Sequence, residues 1–582
     1  MEKKWILKEQ YTDEFAEKLS EHNRVVLQLL FNRGLSTHEK INEFLNPNYA
    51  NDILDPFLFR DMERAVERIN QARDKQEKII IHGDYDADGV TSSVLLEKSL
   101  RKIGLQNIEV FIPHRIKDGY GLNKKTVSKF IEQKANLVIT VDCGVSSIEE
   151  IAILKENKID TIITDHHIGG DKLPDAFAIL DPSLEDETYP FQKLAGVGVA
   201  FKLSQALFRR QKDQVEFEAF EKWLLDLVTI GTIGDVSPIV GENRTLVKYG
   251  LMVLNKTPRK GLHELLRTAS VKLGEEFKPK GTDLFDLSIY NISFQIVPRI
   301  NAAGRIDHAY KAYQLLSTED EFEAVALAGD IHRQNLDRQK IGEKIQNEAL
   351  EKLGEIKDEK ILIVSGNSWN HGIVGLAAGR IKDKFSRPTF VFTENEGVYK
   401  GSGRSIKEFN ITKALQKNKD ILASFGGHSQ ACGCTVEGHD NFKEFIKRIS
   451  GQAEETLKDV KLIPTIEIDC QLNFSDLTWE LIEQLTGFEP FAEANPCPFF
   501  LIERVHIDTL DIIGKNKTTL RFLLSQGRDS FKAIAFSKAE DWQGKFKSGD
   551  TVDIVIEFGV NEWNGNRELQ VKVIDMKQSS IK

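Results

Sequence analysis

The chain has 582 residues, of which 41% are apolar, so it can bury several cores and should divide into roughly three to five domains of ~150 residues. Its five cysteines are odd in number and show no paired C-x-x-C spacing, which argues against a disulfide framework and a structural zinc site. No signal-peptide core opens the sequence and ~18 apolar residues never run together, so we expect a cytoplasmic protein without membrane contact. The net charge of −11 argues against nucleic acid as a partner unless local basic clusters outweigh it.

Residues 1–55 carry apolar side chains at helical spacing up to a break at Asn46-Pro47-Asn48, which predicts a small helical N-terminal appendage. Farther along, β-rich apolar runs alternate with amphipathic segments, a pattern typical of βαβ units and a parallel sheet. The predicted strands are Ile79–Ile81, Val110–Ile112, Leu137–Val141, Thr161–Thr164 and Ala178–Leu180.

Acidic and histidine residues stand where these strands end. The first strand runs into His82-Gly-Asp84-Tyr-Asp86-Ala-Asp88, the third into Asp142, the fourth into Asp165-His166-His167, and a further apolar stretch, Leu225–Gly234, into Asp235. Each acid alone is more often a helix cap or a turn former than a ligand. Several such endings in one sheet meet at its carboxyl edge, where closely spaced carboxylates repel one another unless a cation lies among them.

Oxygen ligands with an imidazole suit Mg²⁺ or Mn²⁺ better than Zn²⁺. We predict two such ions that share a bridging carboxylate, with the ligands His82, Asp86, Asp88, Asp142, His166 and Asp235. Asp142 is expected to bridge because it stands alone after a central strand, and of the two adjacent histidines we expect His167 to be the catalytic group. A pair of ions stabilises an in-line displacement at phosphorus, so phosphodiester hydrolysis is the leading chemistry.

In the middle of the chain, the apolar spacing predicts helices between Gly196 and Val253. A loop is predicted next, in which Arg299 and Arg305 can either form bidentate hydrogen bonds with phosphates or take part in ordinary surface ion pairs. Helical spacing without proline from Glu321 to Leu353 predicts a connector helix of ~45 Å between two domains. Its charged residues are expected to form a solvated face, with Arg338 among the candidates for lining a groove.

A second α/β unit is predicted for residues 359–455, with strands at Lys360–Val364 and Pro388–Phe392. Glycine permits close backbone approach, and a neighbouring serine, arginine or histidine can then hold a phosphate. Segments of this kind are Trp369-Asn-His371, Gly401-Ser402-Gly-Arg404-Ser405 and Phe425-Gly-Gly-His428. A Gly-Gly-His sequence on its own would more often be a turn.

The C-terminal part, from about Pro464, is rich in predicted strands, and Asn564-Gly565 is a hairpin signal, which together predict an OB-type barrel. The predicted strands are Ile466–Ile468, Arg504–Leu510, Leu520–Leu524, Phe531–Phe536, Thr551–Phe558 and Leu569–Ile574. A basic, stacking surface for single-stranded nucleic acid is predicted from Lys515, Lys517, Arg521, Arg528, Phe522 and Trp563. The alternative is a barrel that merely packs against its neighbours.

Taken in order, His82-x-x-x-Asp86-x-Asp88, Asp142, Asp165-His166-His167 and Asp235 resemble the four motifs of the DHH phosphoesterase superfamily. With Pro113–Asn123, Pro298–Arg305 and the glycine-bearing segments, the chain from about residue 20 to 575 resembles the RecJ-type family of single-strand-specific 5′ exonucleases. The segment 489–496 departs from that family, because Ala492 and Ala494 stand where its members usually carry glycines.

The resemblance implies an α/β protein with a parallel-sheet DHH catalytic domain at 56–310, a connector helix at 311–355, a second α/β DHH-associated domain at 356–455 and an OB-type β-barrel at 460–582, after the appendage at 1–55. It implies 5′-to-3′ hydrolysis of single-stranded DNA to 5′-mononucleotides with Mn²⁺ or Mg²⁺, in DNA repair and recombination. Catalytic roles then fall to His167, Asp142 and Asp84, and DNA or phosphate contacts to Arg115, Arg299, Asn301, Arg305, His371, Ser402, Arg404 and His428. We expect a monomer whose partners include a helicase and a single-strand-binding protein.

Other functions stay open at this point. A phosphodiesterase for oligoribonucleotides or cyclic dinucleotides would use the same catalytic core, but such enzymes usually lack the long connector and the barrel. A non-catalytic DNA-binding scaffold conflicts with the complete ligand set. A pyrophosphatase would leave Gly401–Ser405 and the barrel without a role.

Overall fold

The computed structural model describes residues 3–115, 117–269, 287–563 and 566–579. The N-terminal segment consists of strand β1 (Lys4–Leu7) and helices α1 (Asp13–Lys18), α2 (Arg24–Asn32), α3 (His38–Leu45) and α4 (Tyr49–Asp52). A side-chain oxygen caps the start of each helix, from Thr12, Asn23, Thr37 and Asn48 in turn. The apolar faces of α2 and α3 pack with the C-terminal barrel in one core.

A parallel sheet in the order β3-β2-β4-β5-β6 forms the centre of the next unit. Its elements are α5 (Met62–Asp74), β2 (Ile79–Gly83), α6 (Ala87–Lys102), β3 (Ile108–Phe111), α7 (Lys124–Glu132), β4 (Leu137–Val141), α8 (Ile148–Glu156), β5 (Asp160–Thr164) and β6 (Ala178–Leu180). The predicted strands and the parallel sheet are confirmed. The strand order reverses beside β2, and ligands bind at such a switch point, outside the carboxyl ends of the strands.

Helices complete this unit. They are α9 (Gly196–Arg209), α10 (Gln214–Trp223), α11 (Leu225–Gly234), α12 (Gly241–Leu254), α13 (Lys260–Thr268), α14 (Ile289–Asn291), a π-helical turn (Ile292–Ile296), α15 (Val297–Ile306) and α16 (Tyr310–Ser317). The stretch ending at Asp235 is therefore a helix, as predicted for Gly196–Val253, and does not end a strand of the sheet. All its residues except Gly234 are buried, so its sequence shows no regular alternation of apolar and polar residues. The predicted loop around Arg299 is also wrong, because Pro298 lies in the first turn of α15, where proline is tolerated.

Helix α17 (Glu321–Leu353) has the predicted bounds and packs on α13, α15 and α16 of the first unit and on α18 of the second. The second unit contains β7 (Leu362–Asn367), α18 (His371–Phe385), β8 (Thr389–Asn395), β9 (Val398–Arg404), α19 (Ile411–Gln416), β10 (Ser424–His428), β11 (Ala431–Glu437) and α20 (His439–Thr456). Its sheet has the order β10-β11-β9-β8-β7. Because α17 contacts both units, it fixes the two sheets on either side of one cleft.

The C-terminal part is built from β12 (Thr465–Ile468), β13 (Cys470–Gln471), α21 (Trp479–Thr486), β14 (Phe500–Ile513), β15 (Thr519–Gln526), β16 (Asp529–Ala535), α22 (Ala539–Trp542), β17 (Thr551–Trp563) and β18 (Asn566–Gln578). Strands β14-β15-β16-β18-β17 form a barrel that closes where β17 pairs with β14, which confirms the predicted OB-type architecture. Strand β12 pairs instead with β1. Short 3₁₀ turns lie at Pro56–Leu58, Lys419–Ile421 and Phe474–Asp476.

The predicted stacking surface on the barrel is wrong in one part: the Phe522 side chain is buried in the barrel core and cannot meet a base. Arg521 is paired with Asp511 at 2.9 Å. The Trp563 side chain and the turn residues Asn564 and Gly565 lie outside the described residues. In the part of the chain that the structure describes, no helix is both long and apolar enough to cross a membrane.

Candidate active site

Acidic and histidine side chains meet at the carboxyl edge of the parallel sheet. Among the described residues, three overlapping groups have ligand atoms within 4.8 Å of one another: Asp84, Asp86 and Asp142; Asp88, His166 and Asp235; and Asp142, His166 and His167. Nε2 of His166 lies 3.1 Å from an oxygen of Asp142, 3.8 Å from Asp88 and 3.9 Å from Asp235. Asp142 therefore joins the group around His166 to the group around Asp84.

Backbone amides hold Asp88 in place. Both amide groups come from the start of α9: Gly196 donates to one carboxylate oxygen at 2.7 Å and Val197 to the other at 2.9 Å. A helix N-terminus favours a negative charge, so α9 stabilises the ionised carboxylate. Gly231 passes so close that a Cβ there would lie 2.8 Å from Oδ1 of Asp88, so this approach requires glycine.

Asp142 has a left-handed backbone conformation, with φ of 60°. Such a conformation costs a residue with a side chain about 1–2 kcal/mol and occurs preferentially at functional sites. Its amide donates to the carbonyl of Thr164 at 2.9 Å, which fixes the strand end. Val236, directly after Asp235, also has a positive φ, at 64°, although valine is β-branched.

The electrostatics of these groups fit bound cations. Burial and the charges of neighbouring carboxylates raise the pKa of Asp84, Asp88 and Asp142 well above the ordinary value. Among the described residues, no lysine or arginine forms an ion pair with these three carboxylates, and Oδ1 of Asp84 is buried without a hydrogen-bond partner. Divalent ions would relieve this repulsion, and the oxygen-rich donor set suits Mg²⁺ or Mn²⁺.

His82 lies in none of these groups, although sequence analysis assigned it to the metals. Side chains alternate along a strand, so His82 faces the same side of the sheet as Ile80, beneath α7. Its ring stacks on Phe111 with centroids 5.6 Å apart and meets the edge of Phe130 at 5.9 Å. Burial lowers its pKa to about 4, so it is neutral at pH 7. Asp84, which sequence analysis assigned to catalysis, lies among the clustered acids instead.

His167 is held by a buried carboxylate. Its Nδ1 lies 2.7 Å from Oδ1 of Asp165. The same oxygen also accepts hydrogen bonds from the backbone amides of His166 and His167. Burial opposes the charged form of His167, but the hydrogen bond and charge of Asp165 outweigh it and raise its pKa to about 9. The Tyr120 hydroxyl lies 3.1 Å from the same nitrogen, and the ring of His428 stacks on His167 with centroids 6.2 Å apart. The His428 contact comes from the second unit and crosses the cleft.

Arginines from both units converge opposite the acids. Burial, followed by the charges of Arg115, Arg338 and Arg404, lowers the pKa of Arg305 to about 9. Within the described residues no carboxylate lies at ion-pair distance from any of these four side chains. Arg305 crosses the cleft by donating to the carbonyl of Gly372 at 2.8 Å. Unpaired guanidinium groups held this close together favour an anionic ligand such as a phosphodiester.

The other predicted phosphate contacts have different surroundings. Arg299 donates to the carbonyl of Gln295 at 2.6 Å and is largely buried. Asn301 accepts the amide of Ala87 at 2.8 Å and so fixes the start of α6. Ser402 accepts from Nη1 of Arg404 at 2.9 Å.

His371 begins α18, where burial and the nearby charges of Lys400 and Arg115 lower its pKa. Like Ser402 and Arg404, it belongs to the wall of the cleft formed by the second unit.

Sequence analysis assigned no role to Tyr120 or Asp165, although both touch His167. Their signals were present, because Tyr120 lies in Pro113–Asn123 and Asp165 begins the Asp-His-His triplet. Spacing alone could not show that both side chains turn toward one imidazole.

Three family models match the chain. The DHH family N-terminal domain matches residues 78–232, the DHHA1 domain residues 358–455 and the RecJ OB domain residues 468–575.

Relatives match over most of the chain. The single-stranded-DNA-specific exonuclease RecJ of Bacillus subtilis (strain 168) is 38% identical over 95% of this chain and 67% of its own length. The enzyme of the same name from Salmonella typhimurium is 32% identical over 98% of both chains. The crystal structure of RecJ from Thermus thermophilus in complex with Mn²⁺ superposes with a TM-score of 0.82 at 27% identity, over 99% of this chain and 80% of that one. The structure of the same protein with Mg²⁺ gives a TM-score of 0.75 at 26% identity, over 99% of this chain and 79% of that one. The chain therefore belongs to the RecJ family of DHH phosphoesterases.

Proposed function

We propose that the protein is a metal-dependent exonuclease that hydrolyses single-stranded DNA from its 5′ end and releases 5′-mononucleotides in DNA repair and recombination. The observation that carries the proposal is the cleft itself, in which clustered carboxylates face unpaired arginines of two units. Relatives over nearly the whole chain are named single-stranded-DNA-specific exonucleases, and the solved structures of RecJ from Thermus thermophilus hold Mn²⁺ or Mg²⁺.

Two divalent cations are the cofactors in this proposal. Asp88, Asp142, His166 and Asp235 would hold one ion, and Asp84, Asp86 and Asp142 the other, with Asp142 shared. When bound, such a pair stabilises the attacking and leaving oxygens of an in-line displacement at phosphorus. The set differs from the one that sequence analysis favoured, since Asp84 replaces His82.

His167 acts on the phosphate in this proposal. Its raised pKa, to about 9, makes it an imidazolium at neutral pH, and a positioned N–H that donates to an oxygen gaining charge accelerates a reaction by roughly 10²–10⁴. Asp165 orients the ring through Nδ1, so Nε2, which lies 3.4 Å from the Tyr120 hydroxyl, is the atom that would donate to the substrate. Asp165 is thus a positioning residue.

The second unit supplies the opposite wall of the cleft. Arg404, with Ser402 against it, and Arg305 would hold the phosphate backbone, and His428 would lie next to His167 at the scissile phosphate. The Arg305–Gly372 hydrogen bond bridges the two walls, so in this proposal the cleft admits a single strand but not a duplex, and selectivity is steric. The arginines nearest the acids are the candidates for gripping a 5′-terminal phosphate.

We further propose a monomeric, cytoplasmic enzyme that receives its single strand from a helicase and meets a single-strand-binding protein on it. The division into an appendage at 1–55, a catalytic domain at 56–310, a connector at 311–355, a DHH-associated domain at 356–455 and a barrel at 460–582 belongs to the same proposal.

The test compares a single strand with a blunt duplex, each labelled separately at either end, after chelation and with Mn²⁺ or Mg²⁺ added back. We expect metal-dependent release of the 5′ label from the single strand alone. Equal rates on the duplex, first release of the 3′ label, or activity that survives chelation would contradict the proposal.

A further inference from the structure

An exposed aromatic pair lies on the helix that carries Arg305 of the cleft. The rings of Tyr290 and Phe294 pack on each other with centroids 4.9 Å apart, and their side chains are 63% and 64% exposed. Single exposed apolar residues are ordinary, but two large rings that pack together in solvent form an apolar surface that favours a partner.

The pair shares one helical face with residues of the cleft. Tyr290, Phe294, Pro298, Asn301 and Arg305 follow one another at intervals of four, four, three and four residues, which places them on one side of the continuous helix from α14 through α15. Tyr290 and Phe294 are exposed and the other three are partly exposed, whereas Ile292, Ile296 and Ile300 on the other side are buried.

The other end of this face reaches the clustered acids. Asn301 accepts the amide of Ala87, next to Asp86, and Arg305 is close enough to Asp86 for their charges to interact. Phe294 lies eleven residues before Arg305, a distance of ~16 Å along the helix. A strand whose terminal phosphate lies at Arg305 would therefore reach the aromatic pair within a few nucleotides.

We propose that Tyr290 and Phe294 form a base-stacking platform for single-stranded DNA, a few nucleotides from the scissile phosphate. The platform rests on the proposed function, because the continuity of its face with the arginine cleft identifies nucleic acid as the occupant. A phosphate grip fixes the backbone, whereas an exposed ring stacks on any base and so holds the strand without sequence preference. A paired base offers no free face to such a ring, so the platform would add to the selectivity for single strands.

The experiment uses the full chain with both rings removed, Tyr290→Ala with Phe294→Ala. Stacking of one base on an aromatic side chain changes affinity roughly 5- to 150-fold, so we expect the Kd for a long oligonucleotide, measured by fluorescence anisotropy, to rise by about that factor. The preference in kcat/KM for a long strand over a dinucleotide should fall by a similar factor. The variant Phe294→Trp, which keeps a ring, should bind like the wild type and so separates stacking from misfolding.

Abasic substitutions locate the contact. In the wild type, removing the base at one or two positions a few nucleotides from the 5′ end should weaken binding, and in the double variant the same substitutions should have no further effect. The matched control is Trp223→Ala, which removes an exposed ring on α10, 43% exposed and outside the proposed face.

An unchanged Kd in the double variant, a loss equal to that of Trp223→Ala, or abasic effects that persist in the double variant would overturn the platform. A change in sedimentation with unchanged DNA binding would also overturn it and would assign the rings to a protein contact. Absence of single-strand hydrolysis by the wild type would instead refute the proposed function. The Kd and abasic measurements would then test the platform without any activity assay.

Discussion

The substitution Asp165→Asn tests whether His167 acts as a cation. Asparagine keeps the size of the side chain but removes the negative charge of the carboxylate whose Oδ1 lies 2.7 Å from Nδ1 of His167 and accepts its hydrogen bond. The pKa of His167, raised to about 9, should then fall to the ordinary value of ~6.5 or below, because burial is no longer opposed. The charged form exists below the pKa, so the variant loses it as pH rises through neutrality while the wild type keeps it.

The size of the effect follows from the two pKa values. At pH 8 about 90% of His167 is charged in the wild type and about 3% in the variant, a ratio of about 30. At pH 6 the ratio is only about 1.3, since both proteins are then mostly charged. Bound cations lower both pKa values and shift the transition to lower pH, but the ratio still rises with pH.

The assay measures kcat on a saturating single strand from pH 6 to pH 8, with metal content determined at each pH. The control is Asp175→Asn, which removes an exposed carboxylate of the same unit that pairs with Lys155. A wild-type to variant ratio that stays constant with pH would refute the role of His167 as a cation. Loss of metal from Asp165→Asn would show that Asp165 supports the ligands instead.

Other consequences concern metal, salt and stability. Asp84→Asn should lower the metal content by one ion per chain, whereas His82→Asn should leave it unchanged; the opposite result, read by metal analysis, would restore His82 as the ligand. Arg404→Ala should weaken single-strand binding and reduce the slope of log Kd against log salt by about 0.7, because one fewer phosphate is neutralised; an unchanged slope would place Arg404 outside the DNA path. Ala494→Gly should raise the melting temperature by a few degrees, as scanning calorimetry would show.

Regular patterns made much of the fold predictable. The strands at Ile79–Ile81 and Leu137–Val141 are short β-branched runs between helical segments, and the connector has helical spacing over its whole length. The pattern of Leu225–Gly234 fits both the predicted helical region and a strand that ends at Asp235, because a fully buried helix and a buried strand are equally apolar. The face on which α2 buries its apolar side chains could not be foreseen either, since the barrel that covers it is more than 400 residues away in the sequence.

The candidate site shows a similar division. Carboxylates after strands predicted a metal centre because parallel strands deliver their carboxyl ends to one edge. Which side chain faces that edge depends on the alternation along the strand and on the residue where the strand ends. His82 therefore points into the core, whereas Asp84 lies in the cluster of acids. The arginines of α15, α17 and β9 lie close together only because α17 holds the two units together. Their mutual repulsion therefore could not be predicted from the sequence.

Ala494 stands where members of the family usually carry glycine, and a single backbone angle at this residue decides how a substitution changes stability. Its φ is 61°, in a turn where the amide and carbonyl of Ala492 bond to Asn495. The Asn495 side chain is buried, accepts from Nε of Arg33 and donates to the carbonyls of Phe488 and Pro490, so the turn cannot relax.

A left-handed alanine costs about 1–2 kcal/mol, and glycine loses roughly 0.5–1 kcal/mol through unfolded-state entropy, so Ala494→Gly should gain up to about 1 kcal/mol. Ala492 does not have a positive φ, so the matched change Ala492→Gly should destabilise by about 0.5–1 kcal/mol. Opposite shifts in the two melting temperatures would support the strained turn. A fall in both melting temperatures would contradict it, because glycine would then act only through the unfolded chain.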